Sequence, residues 1–155
     1  MSISIELAAL FTRDLTRVVQ QLAAFPTDEA LWQIAPGVTN SAGNLVLHLE
    51  GNLLEFVGRQ LGGVEYTRDR PNEFNAKDLT RTDLMARIDA VRKTIVPVLE
   101  GVDFDAIFPE NVLGPELSNR QFVIHLLGHL NYHLGQIDYL RRIITGDGAI
   151  KLAGL

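Results

Sequence analysis

Histidine is scarce in this chain, four in 155 residues, yet three of them, His125, His129 and His133, recur at four-residue steps. These three fall in one apolar run of helical character, and the fourth, His48, lies in the only other run like it. An α-helix turns about 100° per residue, so side chains four apart project from nearly the same side, one turn above the other. Imidazoles placed in this way can hold one divalent cation. A third imidazole from a facing helix completes an open nitrogen site, with water or substrate in the remaining positions. An ion held so lowers the pKa of a bound water or thiol and polarises a carbonyl.

Two helix slots that a plain apolar core would fill with Leu or Ile hold imidazole instead. Burying an unpaired imidazole costs on the order of 1–3 kcal/mol, so a partner is expected. His48, His129 and His133 supply one another with a shared ion. Each four-residue step drifts by about 40° around the helix, so His125, His129 and His133 cannot all face one ion equally. Spacing leaves the pairs His125/His129 and His129/His133 both open, and His129 belongs to either. A lone histidine on such a helix is usually a hydrogen-bonded core residue. Three in phase, with a fourth on another helix, favour metal. The segment His129-Leu130-Asn131-Tyr132-His133 lacks the glutamate of the HExxH zinc proteases, and paired Glu-x-x-His motifs of di-iron proteins are absent. Haem ligation by two facing histidines finds no further support in the sequence.

The elements that must position these rings are helices. Apolar residues recur at helical intervals over 4–24 (Ile5, Leu7, Leu10, Leu15, Val18, Val19, Leu22), and Pro26 ends that pattern. Thr27 or Asp28 can cap a short turn through Trp32, before a loop at Pro36-Gly37. A second helix is predicted from an N-cap at Ser41 to Leu61, stopped by Gly62-Gly63, with Leu45, His48, Leu49, Asn52, Leu53 and Phe56 inward. Residues 62–79 are polar, contain Pro71 and are long for a helix connection, which suggests a crossover or a lid. Thr80 and Asp83 form a capping-box pattern ahead of Leu84, Ile88, Val91, Ile95 and Leu99, and Pro97 is expected to kink or shorten the end of this third helix. After an irregular stretch over 101–117, a fourth helix is predicted from Ser118 or Asn119 to Thr145, with Gly146 as its stop. Its inward stripe is Phe122, Leu126, His129, Leu130, His133, Ile137, Leu140 and Ile144, and Leu152 and Leu155 are expected to pack on the surface. No β-alternation or repeat is evident. The fold class expected is all-α: an antiparallel four-helix bundle with long loops after helices 2 and 3, one domain over 1–155.

Bulk properties narrow the function. The chain is 46% hydrophobic and 21% charged, which argues against disorder. Net charge is −5 with no Lys/Arg stripe, so no nucleic-acid partner is expected. No apolar stretch approaches the roughly 18–20 residues of a membrane span, and Glu6, Arg13 and Asp14 interrupt any secretory h-region, so the expected address is cytoplasmic. Cysteine is absent, so any metal is held by nitrogen and oxygen, and any thiol chemistry uses an external thiol.

The run Gly128-His129-Leu130-Asn131-Tyr132-His133-Leu134-Gly135-Gln136-Ile137, with Gly43-Asn44-Leu45-Val46-Leu47-His48-Leu49 as its second-helix counterpart, resembles the DinB/YfiT-like metalloprotein superfamily. The resemblance covers nearly the whole chain. It implies a four-helix bundle whose metal ligands are His48, His129 and His133, with zinc or nickel as the ion and His125 left as a neighbour. It further implies a homodimer and metal-dependent chemistry on a small molecule with a low-molecular-weight thiol: S-transfer to an electrophile, or related activation of thiol or water. The alternative is a bundle that binds metal for structure or stress response without turnover.

Ligand histidines usually donate their second N–H to a partner, so polar residues near them in sequence are candidates for that role. Asn52 and Gln136 are the pocket candidates, the latter matching the Gly-Gln of the superfamily. Asn44 lies one turn before His48 and Glu55 two turns beyond it. Tyr132 and Trp32 are pocket or core aromatics, and Glu50 points away from His48 and is expected to be exposed.

Overall fold

A computed structural model describes residues 2–154. It is all-α, with five α-helices; among the described residues no strand forms, and one antiparallel bridge joins Ile107 to Ser118. The first helix, α1 (Ile3–Ala23), buries Leu7, Phe11, Leu15, Val18 and Leu22. Ile5, expected inward, is 41% exposed, because it lies about 200° around the helix from Leu7. A 3-10 turn (Glu29–Trp32) follows.

Helix α2 (Ala42–Leu53) starts as predicted, with Ser41 Oγ accepting from the Asn44 amide at 3.2 Å. It does not run on to Leu61 as an α-helix. From Leu54 to Arg59 the chain widens into a π-helix, seen in Gln60 N–H donating to Glu55 O at 3.2 Å and Gly62 N–H to Val57 O at 3.0 Å. Such widenings recur at functional sites, where they re-aim side chains. Gly62 ends the element against Val98, which a Cβ there would strike.

The polar segment 62–79 is not all loop. It folds into a short helix, α3 (Arg70–Asn75), with Pro71 in its first turn and Asp69 Oδ1 capping the Asn72 amide at 3.2 Å. Helix α4 (Arg81–Gly101) opens on the predicted capping box of Thr80 and Asp83. It continues through Pro97 rather than stopping there; Pro97 and Lys93 are both exposed, so water can take the carbonyl that proline leaves without a donor. Helix α5 (Asn119–Thr145) begins with a capping box of Ser118 and Gln121 and ends at Gly146, whose φ of 74° is the left-handed conformation glycine tolerates.

Helix α1 packs on α4 and α5, and α2 packs on α3, α4 and α5. Phe122, Leu126, Leu130, Ile137 and Leu140 of α5 are buried, and Ile144 packs at the edge of the same cluster. Polar groups fix the α1–α5 register: buried Arg141 donates to Gln21 Oε1 at 2.8 Å, Gln21 Nε2 donates to Asp138 at 2.9 Å, and Asn131 Nδ2 donates to buried Asp14 at 2.8 Å. Each is a side chain taken out of water with its partners supplied, which makes sliding of α5 costly. The histidines of α5 are thereby held at fixed height. Near the C-terminus Ala153 is tied to Arg17 and Gln20 and Leu152 is half-buried, while Leu155 lies outside the described residues.

Candidate metal centre

Helix α2 supplies His48 and α5 supplies His129 and His133, and the packing of the two helices brings the three rings together. His48 Nε2 lies 3.2 Å from His129 Nε2, and His133 Nε2 lies 3.1 Å from the same atom. One nitrogen of each ring is within 4.8 Å of the other two. The Nε2 separations approach the edge of a tetrahedron of nitrogens around zinc, about 3.3–3.4 Å for bonds of 2.0–2.1 Å.

The outer nitrogens explain why Nε2 faces inward. His48 Nδ1 donates to Glu73 Oε2 at 2.9 Å and His133 Nδ1 donates to Gln136 Oε1 at 2.7 Å. A carboxylate only accepts, so Nδ1 of His48 carries the proton and its Nε2 keeps a lone pair. The amide oxygen does the same for His133. Both lone pairs then face His129 Nε2, whose single proton can satisfy only one of them. A cation satisfies all three nitrogens together. His129 Nδ1 is buried without a partner.

Glu73 is held as firmly as it holds. It is 5% exposed, and Arg68 donates to it twice, Nε to Oε1 at 2.6 Å and a terminal nitrogen to Oε2 at 3.0 Å. Burial alone would raise its carboxyl, but the hydrogen bonds from His48 and Arg68 outweigh that and hold it below the usual range. Asn44 Nδ2 donates to the backbone carbonyls of Glu73 at 3.1 Å and Ala76 at 3.0 Å, pinning α3 to α2. Gly51 gives the carboxylate room: a Cβ there would fall on Glu73 Oε1.

The other candidates separate cleanly. Gln136 bonds His133, whereas Asn52 makes no hydrogen bond to an imidazole; it is 8% exposed and lines the adjoining cleft, its Oδ1 buried and unpartnered. His125 is exposed on the rim of that cleft, outside the convergent group. Asn44 acts on α3 rather than on a ring. Glu55 is bound by Arg59 and Gln60. Glu50 is not exposed as expected: its side chain is 12% accessible and pairs with Arg87 at 2.7 Å, because the segment after α2 covers that side. Tyr132 is 65% exposed, edge-on to His133 with centroids 5.2 Å apart, and Trp32 sits elsewhere, donating to Leu79 O at 3.0 Å. The sequence alone does not single out Glu73, Arg68 or Arg70. Segment 62–79 holds four acids, Glu65, Asp69, Glu73 and Asp78, and nothing ranks Glu73 above the rest. The only available signal was Asp69 two residues before Pro71, a helix start that would have placed Glu73 within a turn.

Residues 6–146 match the family described as mycothiol-S-transferase. The chain belongs to that family. With it comes membership of the DinB/YfiT-like superfamily. A DinB-like protein from Bacillus cereus ATCC 10987 shares 22% identity with a TM-score of 0.69, over 96% of this chain and 95% of that one. A conserved protein from Enterococcus faecalis gives 17% and 0.74 over 95% and 99%, and a DinB-like protein from Bacillus subtilis 16% and 0.68 over 96% of each chain. At these identities the likeness speaks to fold alone. Comparison with curated proteins gives no match. Among the described residues no helix is long and apolar enough to cross a membrane.

Two outcomes test this geometry without any metal. Burial first, then the neighbouring imidazoles, push His129 down to about 4 from 6.5, and burial lowers His133 as well. The unfolded chain therefore takes up protons that the folded chain refuses; the stability of the neutral rings is full above pH 6.5 and is lost as pH falls towards 4. Thermal melts of metal-free protein should show Tm falling across that window, with His129→Gln flattening the fall; an unchanged slope would contradict the assignment. Gly51→Ala should lower Tm, although such a change in a helix interior ordinarily gains roughly 0.5–1 kcal/mol. In a Glu73→Ala background the same substitution should recover its ordinary gain, and a gain already present in the wild-type background would show that Gly51 does not make room for the carboxylate.

Proposed function

We propose that this protein is a divalent-metal-dependent S-transferase in which His48, His129 and His133 hold the ion through Nε2 and a low-molecular-weight thiol is the nucleophile. The observation that carries this reading is the convergence of three imidazoles from two helices, with His48 and His133 Nε2 3.2 and 3.1 Å from His129 Nε2, in a chain of the mycothiol-S-transferase family. An all-imidazole donor set suits zinc or nickel. Among the described residues no carboxylate joins the three rings as a fourth ligand, which favours an open, catalytic site over a closed structural one. The reading includes one domain built as an antiparallel four-helix bundle.

A divalent ion, when bound, supplies a thiolate at neutral pH by stabilising the anion of its thiol ligand. The remaining work falls to the chain. Glu73 and Gln136 keep His48 and His133 in the tautomer that offers Nε2 and stop the rings from turning. Arg68 balances the charge of Glu73, so the carboxylate stays ionised and accepting beside the site. Phe56, Phe122, Val112 and Leu113 wall the cleft next to the imidazoles and strip water from an electrophile brought there. In the overall transfer the thiol sulfur forms a bond to an electrophilic carbon, the leaving group departs with its bonding pair, and the thiol proton goes to solvent.

Metal content gives the first test. Purified protein should carry about one zinc or nickel per chain, as open histidine sites do. His129→Ala should abolish it and His125→Ala retain most of it; full retention in His129→Ala, or equal loss in both, would sink the ligand assignment. Turnover gives the second. Thiol consumption with an electrophile such as 1-chloro-2,4-dinitrobenzene should stop on chelation and return with zinc or nickel, and chelator-insensitive turnover, or none across a panel of thiols, would defeat the catalytic reading.

A further inference from the structure

The cleft beside the imidazoles, about 260 Å³, has an uneven polar lining. Two arginines, half-buried Arg68 and exposed Arg70, line it, and among the described residues no acidic residue does. Arg68 is paired with Glu73 through two hydrogen bonds, and its guanidinium carbon lies 5.8 Å from the centroid of Phe56. Arg70 is not so paired: among the described residues it meets neither a carboxylate nor a hydrogen-bond acceptor, and its guanidinium carbon lies 5.8 Å from the centroid of Phe74. On the α2 wall, Asn52 is 8% exposed and lines the same cleft, its Oδ1 being buried and unpartnered. Its amide nitrogen makes no hydrogen bond to the protein and, unlike Oδ1, is not fully enclosed, so an accepting ligand group is its expected partner. Besides His48, His125 and His129, the rest of the wall, Phe56, Phe122, Val112, Leu113 and Leu126, is apolar.

We propose that this cleft binds a small molecule bearing one carboxylate, which Arg70 pairs, while Asn52 takes a polar group and the apolar wall takes the body. One uncommitted guanidinium balances one negative charge, and its planar fork matches a carboxylate. A dianionic phosphate would be left half neutralised. Calling the molecule a substrate rests on the S-transferase reading; the binding does not. The carboxylate belongs either to the electrophile or to the thiol, and the two sources give different results.

Binding of 3-phenylpropionate and of its neutral amide, 3-phenylpropionamide, is measured by titration against metal-free protein. The carboxylate should bind about fivefold more tightly, and added salt should shrink the difference. Arg70→Gln should erase the preference without weakening the amide, and Arg70→Lys should keep part of it. A second pair, 3-mercaptopropionate against 2-mercaptoethanol, is measured on zinc-loaded protein. An Arg70-dependent preference in the sulfur-free pair assigns the carboxylate to the electrophile; one confined to the second pair assigns it to the thiol. Equal binding within both pairs, or a preference that survives Arg70→Gln, overturns the proposal. Because the first pair needs neither metal nor turnover, loss of metal binding with the charge preference intact would defeat the S-transferase reading alone.

Discussion

Every imidazole has two nitrogens, and the site exists because two of the three rings spend one of theirs on a fixed acceptor. Glu73 takes the Nδ1 proton of His48 and Gln136 takes that of His133. Without those acceptors the rings could turn or change tautomer, and three lone pairs would have no reason to share one small volume. The two acceptors differ in kind. Gln136 comes from the next turn of the same helix, three residues after His133, so its contact follows from helix geometry. Glu73 comes from another element and must be carried to His48 by the fold.

That delivery depends on the segment after α2. Asp69 and Pro71 start α3, Asn44 clamps its end, Arg68 grips the carboxylate, and Gly51 leaves the space it fills. The widening of α2 into a π-helix beyond Leu53 belongs to the same region, and it sets Phe56 on the cleft wall with Asn52. The stretch between α4 and α5 does the matching job on the other side. Phe108 stacks on Phe122 with centroids 3.8 Å apart and anchors a loop whose Val112 and Leu113 reach the cleft. Both irregular stretches are thus walls of one site.

Stability and chemistry pull in opposite directions at these rings. A plain core would hold Leu or Ile where His129 and His133 stand, and the protonated forms are disfavoured there by burial. The surrounding framework carries that cost. The core from Leu7 to Leu140 is continuous, and the buried polar contacts of Asp14, Gln21 and Arg141 lock α5 to α1 on the side away from His48. A scaffold fixed on one face can tolerate an unfavourable cluster on the other.

Much of this was legible in the sequence. Helix starts at Ser41, Thr80 and Ser118 are local events, decided by a side-chain oxygen and an amide three residues on. The stripes of α4 and α5 follow from a period of about 3.6 residues, which any reader of the chain can count. The same period brought His129 and His133 onto one side and left His125/His129 equally eligible, since spacing within one helix says nothing about where its neighbour lies. Tertiary structure alone decided that His48 meets the 129/133 pair and that His125 stays on the rim. It also chose Glu73 from four acids in one polar segment. Periodicity fixes directions around an axis, whereas contacts between elements depend on how those axes cross and on where a buried charge can find its partners.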